Sequence, residues 1–116
     1  MNKREVGTQY EYRAADFLRK HGYEIIHRNF RCRIGEIDLI AKSEGYLCFI
    51  EVKYRSNTYH GFPAEAVNIR KIMKIHRTAQ YYMLINQIPQ HTPCRFDVVV
   101  ILNGEFTLLK NAFEGV

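Results

Sequence analysis

The first clear pattern along the chain is helical. Val6, Tyr10, Ala14, Phe17 and Leu18 recur at the spacing of one helix face, and Gly22 stands where a left-handed C-terminal cap belongs, which predicts a helix over residues 4–21. Tyr23 to Arg31 then mixes apolar and basic residues in a strand-like run. After the turn Cys32-Arg33-Ile34-Gly35, the stretch GEIDLIAKSEGYLCFIEVKYR alternates apolar and polar positions on both sides of Glu44-Gly45, and reads as two further strands of a meander. From Ala64 to Asn86 the period returns to that of a helix. Val67, Ile72, Ile75, Ala79, Tyr82 and Met83 fall in one wide stripe, and the prolines between Gln87 and Pro93 end it. CRFDVVVIL, from Cys94 to Leu102, is a near-continuous run rich in β-branched residues, suited to a strand covered on both faces and paired in parallel. Asn103-Gly104 is a strong hairpin signal into Glu105 to Lys110.

The element order is therefore αβββαββ. It predicts an α/β fold with a mixed central sheet of about five strands flanked by helices, the fourth strand being reached by a crossover through the second helix. No linker-like tract or repeat interrupts the 116 residues, so residues 1–116 read as a single domain.

The polar positions of the meander carry the candidate chemistry. Alternation puts Glu36, Asp38 and Ile40 on one face of their strand, and Leu47, Phe49, Glu51 and Lys53 on one face of the next. Loop parity decides whether the two faces coincide. A two-residue loop at Glu44-Gly45, or a four-residue loop from Ser43 to Tyr46, sets Asp38 opposite Glu51; a regular three-residue loop separates them by the thickness of the sheet. The even register, or a bulge with the same effect, is the expectation. Direct opposition brings the two Cβ atoms to about 4.5–5.5 Å, where carboxylates repel unless a cation lies between them. Mg²⁺ or Mn²⁺ suits such a set, with the backbone carbonyl of Val52 as a third ligand. Lys53 follows roughly 6.8 Å further along the same face, placed to orient or deprotonate an attacking water. Glu11, at the edge of the first helix's apolar stripe and one turn from Gly7 and Ala15, has the reach to join the same ion. The plain alternative is a hairpin whose charges merely solvate one face, because a lone E-x-K is common.

Charge and composition narrow the setting. Seventeen Lys and Arg against 12 Asp and Glu give a net charge of +5 and a pI near 9.2, which favours an anionic partner such as nucleic acid. Arg28, Arg31, Arg33 and Arg55 crowd the strands near the carboxylates. Arg70, Lys74 and Arg77 form a strip beside the second helix's apolar stripe, and Lys71 falls inside that stripe. Tyr54 and Tyr59 are candidates for stacking on bases. Acid inside a basic surround is what a phosphate backbone plus a metal requires. Cys32, Cys48 and Cys94 are an odd set without a CxxC pair, which argues against a disulfide framework or a zinc ribbon. The start MNKREVGTQYEYR has no apolar core and no 18-residue apolar run occurs, so neither secretion nor membrane spanning is supported, and the cytoplasm is the expected compartment.

Gly7-x-x-x-Glu11-x-x-Ala14, Arg28-Asn29, Gly35-Glu36-Ile37-Asp38-Leu39-Ile40-Ala41, Phe49-Ile50-Glu51-Val52-Lys53-x-Arg55, Glu65-Ala66-Val67 and Arg95-Phe96-Asp97-Val98-Val99 occur in order along nearly the whole chain. This ordered set resembles the bacterial YraN-type family of predicted endonucleases. The resemblance implies a restriction-endonuclease-like fold with a PD-(D/E)xK-type site, similar to archaeal Holliday-junction resolvases. By that resemblance Asp38 and Glu51 are metal ligands, Lys53 is the water-positioning base or electrostatic partner, and Glu11 is the helix-borne acid. The expected activity is Mg²⁺-dependent cleavage of nucleic acid, DNA foremost, branched DNA included. Resolvase-like action would need two active centres and hence a homodimer. The alternative is a non-catalytic nucleic-acid-binding protein on the same fold. Two positions depart from the family pattern: Tyr10 stands where Gly is usual, and Ile37 where the Pro of the motif would be.

Overall fold

The computed structural model describes residues 3–55 and 69–113. It contains α1 (Lys3–Lys20), β1 (Glu24–Arg31), β2 (Glu36–Ser43), β3 (Tyr46–Arg55), α2 (Ile69–Ile85), β4 (Cys94–Leu102) and β5 (Glu105–Leu109), in the order expected from the sequence. The expected first turns of the second helix, the loop SNTYHGFP with Tyr59, and Glu65-Ala66-Val67 lie outside the described residues.

All the strands join one sheet in the order β1-β2-β3-β4-β5. β3 and β4 run parallel and the other neighbours antiparallel, so the chain crosses over between β3 and β4, and α2 lies in that crossover. β4 is buried from Arg95 to Ile101, as a strand covered on both faces must be.

The helices cover opposite faces. Ala14, Ala15 and Leu18 of α1 share a core with Leu39, Ala41, Cys48, Ile50, Val99 and Ile101. Ile75, Ala79, Tyr82 and Met83 of α2 share the other with Phe30, Ile37, Ile40, Leu47, Phe49 and Phe96. The α1 stripe ends as predicted: Gly22 adopts φ 86°, and the Tyr23 N–H donates to the Leu18 carbonyl at 3.0 Å. Gly35 lets the β1–β2 turn approach α2 closely, since a Cβ there would stand 3.0 Å from Thr78 Oγ1 and 3.3 Å from Lys74 Cγ.

The β2–β3 hairpin has the shorter of the two even loops. Ser43 pairs with Tyr46, and Glu44 and Gly45 take φ 55° and 83°, the left-handed pair of a two-residue type I′ turn. Simple alternation, however, does not describe β2 throughout. Ile37 and Ile40 both pack beneath α2 although they are separated by an odd number of positions. Between them lies Asp38, and on the neighbouring strand Asn29 adopts φ 55° between the pairs Arg28↔Leu39 and Phe30↔Ile37. Asparagine tolerates that left-handed conformation better than most residues, and it lets both strands change facing at this point. Among the described residues, no helix is long and apolar enough to cross a membrane.

Candidate active site

The ladder between β2 and β3 runs from Ser43↔Tyr46 to Leu39↔Ile50, one step short of Asp38 and Glu51. There the Asp38 Oδ2 accepts the Val52 N–H at 2.7 Å, so a side chain meets a backbone donor at the end of the ladder. Beside this point opens a pocket of about 640 Å³, and both Asp38 and Glu51 line it, as the even register requires. Val52 was expected to offer its carbonyl to a metal; the contact it makes here is through its N–H.

Glu51 is held by two lysines on one oxygen. Lys53 Nζ lies 3.2 Å and Lys71 Nζ 2.9 Å from Glu51 Oε1. Lys53 comes from the same strand and Lys71 from α2, whose apolar stripe aims it at the sheet. Burial lowers the Lys53 pKa, and the neighbouring Lys71 lowers it further against the pull of Glu51. For Lys71 burial acts downward too, but Lys53 and Glu51 outweigh it and the pKa is raised.

Asp38 faces the opposite imbalance. Burial, and then the nearby charges of Glu51, Glu11 and Glu36, push its pKa up to about 8 against the Val52 hydrogen bond. Glu11 is also raised, chiefly by burial, while hydrogen bonds from the Asn29 and Asp38 side chains oppose the shift. Burial and mutual repulsion thus disfavour negative charge on Asp38 and on Glu11 alike. Helix α1 thus delivers a carboxylate to Asp38 from one face of the sheet, and α2 delivers an ammonium to Glu51 from the other. Among the described residues, no three His, Cys, Asp or Glu side chains converge into a ready-made ion cage. The donor set is nevertheless all oxygen, and the burial and neighbouring carboxylates that disfavour charge on Asp38 are what a cation would relieve. These residues fit a hard divalent ion in chemistry.

The basic residues divide by location. Arg31, Arg70, Lys71 and Lys74 line the pocket, and Arg31 also pairs with Glu36 at 3.2 Å. Arg33 lines the hollow next to it. Arg28 and Arg55 are not at the pocket: the Arg28 guanidinium stacks over Tyr12 of α1 at 4.0 Å, and Arg55 Nη1 donates to the Tyr54 carbonyl at 2.8 Å. Tyr54 is engaged as well, its ring stacked on Tyr10 at 3.9 Å. Tyr10, the departure from the family pattern, thereby packs α1 against the end of β3 beside Lys53. Asn29 is the site residue that pattern reasoning passed over. An Asn inside a run of strand formers was its signal.

Fold and site together define a small mixed α/β protein with an acid- and lysine-bearing opening at the end of a central hairpin, walled by arginine and lysine. The chain belongs to the family described as uncharacterised protein family UPF0102, which matches residues 10–101, a span that includes Glu11, Asp38, Glu51 and Lys53. It is 54% identical over 114 residues to a UPF0102 protein of Lachnoclostridium phytofermentans, covering 98% of this chain and 97% of the relative. A UPF0102 protein of Caldicellulosiruptor saccharolyticus is 43% identical over 119 residues, covering 97% and 100%. One from Clostridium botulinum is 43% identical over 117 residues, covering 96% and 95%.

Proposed function

We propose that the protein is a divalent-metal-dependent nuclease with a restriction-endonuclease-like fold. The observation that carries this reading is the carboxylate placement at the end of the hairpin: Asp38 and Glu51 line one pocket with Arg31, Arg70, Lys71 and Lys74, Glu11 acts on Asp38 from α1, and Lys53 pairs with Glu51. Asp38 and Glu51 would hold Mg²⁺ or Mn²⁺, with Glu11 as a further donor. When bound, such an ion supplies charge neutralisation at the phosphate and an acidified water. The chain's own residues do the rest. Asp38 would hold the ion as a carboxylate, and Lys53, its pKa lowered, is suited to orient or deprotonate the attacking water. Lys71 can turn from Glu51 to a phosphate oxygen, while Arg31, Arg70 and Lys74 fix the strand.

The test is cleavage of branched, single-stranded and duplex DNA, and of RNA, with Mg²⁺ or Mn²⁺. Asp38→Asn and Lys53→Ala should each lower the rate at least about 100-fold. Cleavage unchanged in both variants would refute the assignment. Resolution of four-way junctions would in addition require a dimer, read by sedimentation. One observation favours a second reading, a non-catalytic nucleic-acid-binding protein on the same fold: Glu51 is already neutralised by two lysines. Its signature would be salt-sensitive DNA binding without Mn²⁺ affinity.

A further inference from the structure

The pocket at Asp38 and Glu51 continues along α2. Arg70 and Lys74 line it and also line the adjoining hollow, together with Arg33, Met73 and Arg77. Ile34 and Arg77 are shared in turn with a third hollow that reaches Tyr81 and Leu84. The three run together as one groove between α2 and the β1–β2 turn. Along α2 the residues Arg70, Lys74, Arg77, Tyr81 and Leu84 follow at alternating steps of four and three, a single helix stripe about 21 Å long at 1.5 Å per residue.

Two properties of this stripe bear on what fits it. α2 carries Arg70, Lys71, Lys74 and Arg77 and has no Asp or Glu, so a second copy docked on this face would set like charges against each other. Between and beyond the cations, Met73 is 50%, Tyr81 39% and Leu84 71% exposed. Phosphates account for the cations and leave these apolar side chains without a purpose. Unpaired bases account for both, because a single strand offers base faces as well as phosphates. An anionic lipid surface would also meet cations and apolar groups, but it is flat, whereas this groove is walled by the β1–β2 turn and leads to the pocket at Asp38 and Glu51.

We propose that the groove binds a single-stranded stretch of nucleic acid. Phosphates lie on Arg33, Arg70, Lys74 and Arg77, and bases lie against Met73, Tyr81 and Leu84. Joined to the nuclease reading, on which this step rests, the groove names the substrate class: a junction or end bearing an unpaired strand, in preference to continuous duplex.

The test uses the full chain in chelator, where no cleavage occurs. Fluorescence anisotropy compares a 5′-labelled oligo-dT, a blunt duplex of equal length and phosphatidylserine vesicles. Arg77 and Tyr81 are both exposed, so Arg77→Ala/Tyr81→Ala should keep the fold, checked by circular dichroism. The double variant is expected to lose about tenfold or more in single-strand affinity, with a shallower salt slope, while duplex affinity changes by less than about threefold. Equal losses on both oligonucleotides, no loss on either, or a loss confined to vesicles would each overturn the proposal. The outcome is separable from the nuclease reading. Groove-dependent single-strand binding by a protein that cleaves nothing would end the nuclease reading and leave the groove. Cleavage by a protein whose single-strand binding ignores the double variant would do the reverse.

Discussion

Asp97 and Asp38 are carboxylates set into the same sheet, and their surroundings differ in every respect that matters to a buried charge. Asp97 is fully buried, yet its two oxygens accept from Arg95 Nε at 3.0 and 3.2 Å, Arg95 Nη2 at 3.1 Å, the Tyr23 hydroxyl at 2.7 Å and the Asn111 N–H at 2.8 Å. Arg95 reaches on to Glu44 at 3.5 Å and lies over the Tyr46 ring at 5.1 Å. One cation meets one buried anion, every acceptor has a donor, and the residue leading into β1, the β2–β3 turn and the segment after β5 are clasped together. Asp38 instead has one backbone donor and three other carboxylates around it. A satisfied network of the first kind rigidifies a fold. An unsatisfied one of the second kind is costly to the free protein and is the usual mark of a site kept for a ligand.

The comparison breaks first if Asp97 turns out to be dispensable. Asp97→Ala leaves the buried Arg95 guanidinium without its counter-charge, and should lower stability by about 3–5 kcal/mol in urea denaturation. A loss under about 1 kcal/mol would mean that the clasp does not hold the fold.

Lys71 sharpens the other side. If its ammonium stands in for a metal at Glu51, Lys71→Ala should tighten Mn²⁺ binding by roughly tenfold, measured calorimetrically, while weakening binding of nucleic acid. Unchanged Mn²⁺ affinity would leave Lys71 a phosphate contact only. Lys53→Ala makes the internal comparison, because it removes the other ammonium from the same oxygen.

Much of this was legible from the residues. Period and turn chemistry located the elements, and the even parity of the Glu44-Gly45 loop, written in residue types that accept positive φ, was enough to bring Asp38 and Glu51 to one pocket. Three features were not legible. The change of facing at Asn29 depends on one backbone dihedral rather than on polarity. The pairing of Lys71 with Glu51 depends on how α2 lies across the sheet, which a helical wheel cannot supply. The diversion of Arg28 onto Tyr12 and of Tyr54 onto Tyr10 arises because α1 offers aromatic rings at the same end of the sheet, contacts that no local pattern encodes.

The pH dependence of stability probes the contrast most finely. The folded-state pKa of Asp38 is raised, from an ordinary 3.8 to about 8. Between those values the folded protein retains a proton that the unfolded chain releases, so this group's contribution to stability falls as pH rises through that window and is level on either side. His76, whose pKa burial lowers, acts in the opposite sense and loses stability as pH falls. The useful quantity is therefore the difference between wild type and Asp38→Asn, in which the His76 contribution cancels. In chelator the two should melt alike near pH 4. By pH 8 the variant should be the more stable of the two, by about 1 kcal/mol or more. Mn²⁺ at pH 8 should then raise the wild type and leave the variant where it is. A variant less stable than wild type at pH 8 in chelator would show that Asp38 is satisfied after all, and would place it in the same class as Asp97.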